Sequence, residues 1–360
     1  MVTASHNEPE FNGMKFFGPD GSILTCDDMQ IVIDAYHKLR RMDEEQFIEH
    51  TSGTGLTIKN IEKRDAIRPY KKFLRAPKIG PARILIDPNG GAGIMLEPLL
   101  RQKGITWINM GAGQFRRKIE PTEQSLSYLL QAMKEHGAEF AAGFDCDADR
   151  VEIILPDGTP VSGNHLLAII VDDVLSSCKN PEDEIVVVND ATSYMVREIV
   201  NKHSAQWMEV EVGETNVIST MLHYDSPIGG EGSNGGIIIP PSRCRDGMMT
   251  LFRLLSILEK KGATLPELIK QLPDYHYRKE VISENFSRVR AKVKEIYLKK
   301  GFTVKETGAD GGLKAIGPDG WIWLRQSRTE DGIIRIIADS QKEKAANQLI
   351  DDARKAVIFK

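Results

Sequence analysis

The chain has no long apolar run, no paired cysteines and no excess of positive charge, and each absence removes a class of function. No stretch approaches the roughly 18 apolar residues needed to cross a bilayer, and the first residues carry no charged-then-apolar leader. A cytoplasmic protein without membrane contact is therefore expected. The cysteines Cys26, Cys146, Cys178 and Cys244 are scattered with no Cys-x-x-Cys pair, which argues against a zinc site and against a disulfide framework. With 47 basic and 51 acidic residues the formal net charge is -4, so no domain-wide basic field awaits a nucleic acid. The expected partner is a small molecule, and the oligomeric state is left open. What is present is the material of a soluble globular protein: 360 residues, 41% hydrophobic and 27% charged. That length suffices for roughly two to four domains with a sizeable core.

Periodicity then organises the chain. Met29, Val32, Ile33, Tyr36 and Leu39 recur at helical spacing and predict a helix over 28–42, with Asp27 or Asp28 as its cap. From residue 83 onward strands and helices alternate. Strands are expected at 83–87, 106–109, 139–144, 185–188 and 208–212, with helices at 125–136, 166–176, 194–202 and 245–260, the last with Asp246 as its cap. The glycine turn at 88–93 lacks the G-x-G-x-x-G spacing and is assigned no catalytic role. Beyond 273 the predicted elements are a helix at 288–300, four strands between 302 and 337, and a closing helix at 342–357. The expected fold class is α/β: tandem mixed α/β/α domains followed by a smaller C-terminal α+β domain. The expected divisions are 1–68, 69–162, 163–272 and 273–360.

Four stretches carry chemistry. In Thr3, Ala4, Ser5, His6, Asn7 a hydroxyl stands beside a base, and Lys15 supplies a cation; such residues also form plain polar turns. In Phe144, Asp145, Cys146, Asp147, Ala148, Asp149, Arg150, three carboxylates at every second position converge on one side of an extended backbone and call for a cation. Hard oxygen donors of this kind suit magnesium. A calcium EF-hand loop is excluded, because its sixth position needs glycine and its twelfth glutamate, whereas Arg150 and Pro156 stand there. The glycine-dense turn from Gly229 to Gly236 carries Glu231 and Ser233, suited to gripping sugar hydroxyls or serving as a flexible loop. Finally, Arg325, Ser327, Arg328 and Thr329 lie between two strands, where a planar guanidinium, hydroxyls and loop amides can cradle an anion.

Together, and in this order, these stretches resemble the α-D-phosphohexomutases, the phosphomannomutase/phosphoglucomutase family that includes phosphoglucosamine mutases. The resemblance covers essentially the whole chain. It implies an isomerase that moves a phosphoryl group between the 1- and 6-positions of a hexose phosphate through a phosphoserine, with hexose 1,6-bisphosphate as intermediate and activator. By resemblance Ser5 is the phosphate carrier, His6 and Lys15 assist proton transfer, and Arg150 acts beside them. Ser5, Asp145, Asp147 and Asp149 hold magnesium. Arg117, Glu231, Ser233, Arg325, Ser327 and Thr329 bind the sugar phosphate, Arg117 through the segment it forms with Glu120, Pro121 and Thr122.

The chain also departs from the family pattern. Cys146 replaces a glycine in the metal loop, and Asn234, Gly235, Gly236 replace the usual end of the sugar loop. Arg328 and Asp331 replace the glycine and proline common in the phosphate loop. Only Met1 and Val2 precede Thr3, whereas the family's serine loop falls deep in its first domain. Most of that domain is expected to be missing, with residues 1–25 mobile. The alternatives are therefore an active mutase whose start lies upstream, a truncated and inactive sugar-phosphate-binding remnant, and a metal-dependent phosphatase.

Overall fold

The computed structural model describes residues 1–52, 64–75, 77–80, 82–233, 235–308, 311–327 and 332–358. The first stretch contributes helices and short bridges. Helices α1 (Cys26–Arg40) and α2 (Glu44–Ser52) bury no residue, and α1, capped by Thr25, begins two residues earlier than its spacing predicted. Helix α3 (Ile67–Leu74), which had no clear signal in the sequence, docks through Leu74 and through the Tyr70 hydroxyl, which donates to Asp246 at 2.7 Å.

Short buried apolar runs make the central strands of the next unit. Strands β1 (Ile84–Asp87) and β3 (Phe140–Phe144) are buried along their whole length, as parallel strands covered on both faces must be. With β2 (Ile105–Trp107), β4 (Val151–Ile154) and β5 (Pro160–Val161) they form a sheet of order β2-β1-β3-β4-β5, parallel through β3 and antiparallel beyond it. The single helix expected at 125–136 is two, α4 (Glu123–Leu126) and α5 (Leu129–His136). A capping box between Thr122 and Ser125 starts the first, and at the junction Tyr128 turns its hydroxyl onto buried Asp87 at 2.7 Å.

The third unit repeats the scheme. Helix α6 (Gly163–Ser177) leads to β6 (Ile185–Asn189), α7 (Tyr194–Lys202), β7 (Gln206–Val210), α8 (Glu214–Tyr224), β8 (Ile228–Gly230), β9 (Ile237–Ile238), α9 (Gly247–Lys261) and α10 (Leu265–Lys270). Its sheet runs β7-β6-β8-β9, and Asp246 caps α9 by accepting from the Met249 amide at 2.8 Å, as its sequence position implied. One continuous core joins the second and third units, running from Leu74 and Ile84 through α6 to Leu268.

The C-terminal unit is an antiparallel sheet of order β10-β14-β13-β12-β11, covered on one face by α11 (Phe286–Lys299) and α12 (Glu343–Ile358). Its strands are β10 (His276–Ser283), β11 (Thr303–Thr307), β12 (Gly312–Gly317), β13 (Gly320–Gln326) and β14 (Ile333–Ser340). Strand β10 was not anticipated: as an edge strand with a half-exposed, polar alternation, it reads like loop. The other face packs on the third unit. Asp339 accepts from the Ser193 hydroxyl and the Tyr194 amide, both at 2.8 Å, and buried Lys314 donates to the Asp190 carbonyl at 2.7 Å and to Glu209 at 2.9 Å. These contacts bring the end of β13 against the loop that leaves β7, where Arg325 reaches the Val212 carbonyl.

Candidate active site

Ligands of open α/β sheets bind outside the carboxyl ends of the strands, where loops lead away from the parallel ladder. Here the loop after β3 carries the aspartates and the loop after β8 carries Glu231. A short antiparallel ladder at the start of the chain brings Ser5 to them. Val2 bridges Met14, the Thr3 amide donates to the Gly13 carbonyl at 3.0 Å, and Lys15 and Met1 exchange backbone hydrogen bonds. That register aims two side chains at one carboxylate: Thr3 Oγ1 donates to Asp147 Oδ2 at 3.0 Å and Lys15 Nζ at 2.9 Å. Lys15 also reaches Asp149 at 2.7 Å. Ser5, in the left-handed region at φ 50, turns its Oγ to Asp145 Oδ2 at 3.3 Å. A non-glycine residue held there is a local strain that places a side chain.

The three aspartates meet, with one ligand oxygen from each within 4.8 Å of the others, but on a turn and not on the extended backbone the alternation assumed: the Ala148 amide donates to the Asp145 carbonyl at 3.2 Å and Ala148 stands at φ 57. The backbone beneath them is held by glycines. A Cβ on Gly91 would lie 2.5 Å from the Cys146 carbonyl, and the Ala92 amide donates to that same carbonyl at 2.8 Å. The turn at 88–93 is thus a prop for the aspartate loop, which its composition alone did not reveal.

Electrostatics divide the three acids. Burial, reinforced by Asp149 and Asp147, pushes Asp145 well above the ordinary carboxylate range. Burial would raise Asp149 too, but Arg245 and Lys15 outweigh it and hold that carboxyl at about 2. For Lys15 burial acts downward, yet Asp149 and Asp147 prevail and its ammonium is stabilised. His6 is lowered by burial and then by Arg150, which keeps the imidazole neutral at pH 7, and its Nδ1 is buried without a hydrogen-bond partner.

The residues fit a divalent cation. Asp147 Oδ1 and Asp149 Oδ1 are buried carboxylate oxygens without a hydrogen-bond partner, and the donor set is all hard oxygen. Asp147→Asn is expected to lower magnesium affinity at least about tenfold, the scale seen when even outer partners of metal ligands are lost. The fold should persist, because asparagine keeps an acceptor for Thr3 and Lys15 and one like charge leaves a crowded cluster. Calorimetric titration with magnesium chloride checks this, and equal affinities would refute the assignment.

The remaining predicted residues fall in two groups. His6, Arg150, Glu231, Arg325 and Ser327 line one cleft of about 950 Å³. Arg150 donates to Glu120 Oε1 at 3.2 Å. Glu231 is buried, its Oε1 held by Asn189 Nδ2 and the Gly213 amide, each at 3.0 Å. Arg325 is buried and donates to the Val212 carbonyl at 3.2 Å, while the Ser327 amide donates to the Ile333 carbonyl at 2.7 Å. Ser233 is exposed at the turn and takes no part in lining the cleft, and Thr329 and Asn234 lie outside the described residues.

Arg117 departs from the expectation of substrate contact. Its side chain is 3% exposed and donates to Asp87 Oδ2 at 2.7 Å, to the Phe144 carbonyl at 2.6 Å and to the Lys118 and Ile119 carbonyls. With its guanidinium spoken for on every side, it braces the strand end from which the aspartate loop springs. Sequence reasoning also missed two arginines of the cleft. Arg335 faces Arg325 across the β13–β14 ladder and lines the same space; its signal was one charge interrupting Ile333, Ile334, Ile336 and Ile337. Arg245, just before α9, had no local signal at all.

Comparison with known proteins gives one answer. The family model described as phosphoglucomutase/phosphomannomutase, alpha/beta/alpha domain III, matches residues 162–275, and that of domain I matches residues 1–42. A phosphoglucomutase/phosphomannomutase of Thermococcus kodakarensis is 32% identical over 365 residues, covering 98% of this chain and 76% of the relative. A phosphoglucomutase/phosphomannomutase family protein from Burkholderia thailandensis superposes with a TM-score of 0.79 at 21% identity, over 99% of this chain and 75% of the other. The N-acetylphosphoglucosamine mutase of Aspergillus fumigatus, solved with GlcNAc-6P and magnesium, gives 0.66 at 14% identity, over 99% and 88%. The two structural likenesses establish a shared fold. The chain spans about three quarters of the length of the Thermococcus relative.

Proposed function

This chain belongs to the phosphoglucomutase/phosphomannomutase family, and on that premise we propose that it interconverts hexose 1-phosphates and hexose 6-phosphates through a phosphorylated Ser5. The free hydroxyl of a bound monophosphate attacks the phosphorus on Ser5, the bond from Ser5 Oγ to phosphorus breaks, and hexose 1,6-bisphosphate forms. The hydroxyl proton passes to the neutral imidazole of His6, and Ser5 Oγ recovers a proton from Lys15, whose ammonium stands at the edge of the aspartate cluster. The bisphosphate turns end for end, the reverse transfer rephosphorylates Ser5 from its other phosphate, and the isomerised monophosphate leaves. Free bisphosphate would prime an unphosphorylated serine in the same way.

Phosphoryl transfer rests on positioning and charge neutralisation. Magnesium held by Asp145, Asp147 and Asp149, with the Ser5 hydroxyl at the margin of the set, would supply that neutralisation at the reacting end. Arg150, 3.9 Å from Asp149, adds positive charge there. Glu231 presents Oε2 to sugar hydroxyls. At the far end Arg325 and Ser327 take the phosphate that is not reacting, and Arg335 adds a second guanidinium. The observation that carries this reading is a serine hydroxyl set against three aspartates, whose chain neighbours His6 and Arg150 line the same cleft as two arginines from β13 and β14.

The test is direct. The protein, primed with glucose 1,6-bisphosphate and supplied with magnesium, is offered glucose, mannose or glucosamine 1-phosphate and followed by phosphorus NMR. Appearance of the 6-phosphate is expected. Release of inorganic phosphate would support a phosphatase instead, and binding without turnover a sugar-phosphate-binding protein.

A further inference from the structure

One side chain in the cleft touches both halves of the site without belonging to either motif. Arg245 Nη2 donates to Asp149 Oδ2 at 3.1 Å, Nη1 to Glu231 Oε2 at 3.4 Å, and Nε stands 3.3 Å from Glu214 Oε2. Its backbone amide donates to Glu214 Oε1 at 2.7 Å, so the residue is anchored at both ends. The side chain is 10% exposed and lines the cleft. Three carboxylates from three separate elements therefore share one guanidinium.

Two of those elements, the aspartate loop and the loop after β8, also approach each other closely through their backbones. A Cβ on Gly235 would lie 1.8 Å from the Val151 carbonyl, and one on Gly236 would lie 2.3 Å from the Asp149 carbonyl and 3.0 Å from Arg245 Cβ. The exit of the sugar loop thus lies flat on the aspartate loop, and Arg245 closes the seam above it. Glu231 has its Oε1 fixed by Asn189 and Gly213, so the angle of its Oε2 answers to Arg245.

We propose that Arg245 is a positioning residue that sets the sugar-gripping carboxylate of Glu231 relative to Asp149, so that a hexose held by Glu231 presents its hydroxyl to Ser5 at one distance. The inference rests on the mutase reading above. It assigns Arg245 no contact with the reacting atoms; the residue acts through Glu231 and Asp149. A planar fork with fixed angles can hold two acids at a set separation, whereas the point charge of a lysine on a flexible stem cannot.

Arg245→Lys in the full chain separates positioning from charge balance. Magnesium affinity, titrated with magnesium chloride alone, should stay within about threefold of the native protein, since the positive charge beside Asp149 is retained. Glucose 1-phosphate affinity should fall about tenfold, and kcat about a hundredfold, the scale of a misplacement near one ångström. Combined with Glu231→Gln, the losses in glucose 1-phosphate affinity should overlap, because both act through one link. Native glucose 1-phosphate affinity and kcat in Arg245→Lys, or losses that multiply independently in the double variant, would overturn the proposal. Failure of Arg245→Lys to fold would mark the residue as a brace of the fold and would also count against it. A native protein that binds neither magnesium nor glucose 1-phosphate would refute the mutase reading itself, and this inference with it.

Discussion

Ser5→Ala is expected to lower interconversion of hexose 1- and 6-phosphates by about four orders of magnitude or more, the scale on which loss of a covalent nucleophile is felt. Glucose 1-phosphate affinity should stay within about threefold, because the sugar and distal phosphate contacts are made by other residues. The geometry makes the separation sharp. Ser5 Oγ is placed against Asp145 by a turn that the Thr3–Gly13 ladder and the Lys15 ion pairs hold in register, and none of those contacts uses the Ser5 hydroxyl. Alanine should therefore leave the loop in place while removing the hydroxyl proposed to carry the phosphate. Mass spectrometry of the N-terminal peptide after incubation with glucose 1,6-bisphosphate gives the complementary reading. Phosphate on Ser5 is the expected result, and phosphate on an aspartate would move the protein to another class of phosphotransferase.

Arg117→Met should act on stability. The ion pair with Asp87 is buried, with side-chain exposures of 3% and 0%, and removing the cation strands a carboxylate in the core. Breaking such a pair from one side costs about 3–5 kcal/mol. Three donors remain to Asp87, from the Asn89 amide, Asn109 Nδ2 and the Tyr128 hydroxyl, and they limit the loss without restoring the charge balance. Denaturant unfolding measures the cost, while KM for glucose 1-phosphate, taken where the variant is still folded, should be close to native. A raised KM with unchanged stability would return Arg117 to the substrate.

The contrast between Ser5 and Arg117 shows where a chain can be read directly. Hydroxyl, imidazole and ammonium within a dozen residues, and carboxylates at every second position, are local patterns whose chemistry follows from residue type and spacing. The β3 run into Asp145, and Asp246 ahead of α9, are legible for the same reason: strand burial and helix capping are decided by neighbours in sequence. Strand β10 escaped because an edge strand with polar alternation carries little apolar signal, and α8 because its start lies in what reads as a loop after β7.

By itself, then, the sequence determined the α/β alternation, the order of four chemical stretches and the residue types each brings. Which of those residues face one another was decided only by the tertiary structure. Asp147 meets Thr3 across 144 positions, Arg245 meets Asp149 across 96, and Arg325 meets Val212 across 113. Such pairings depend on how sheets stack and how loops leave them, and no local period encodes that. The same holds for Arg117 and Arg245. An arginine carries the same fork wherever it stands; whether it grips a phosphate, braces a strand or spans two loops depends on which acids the fold has already placed around it.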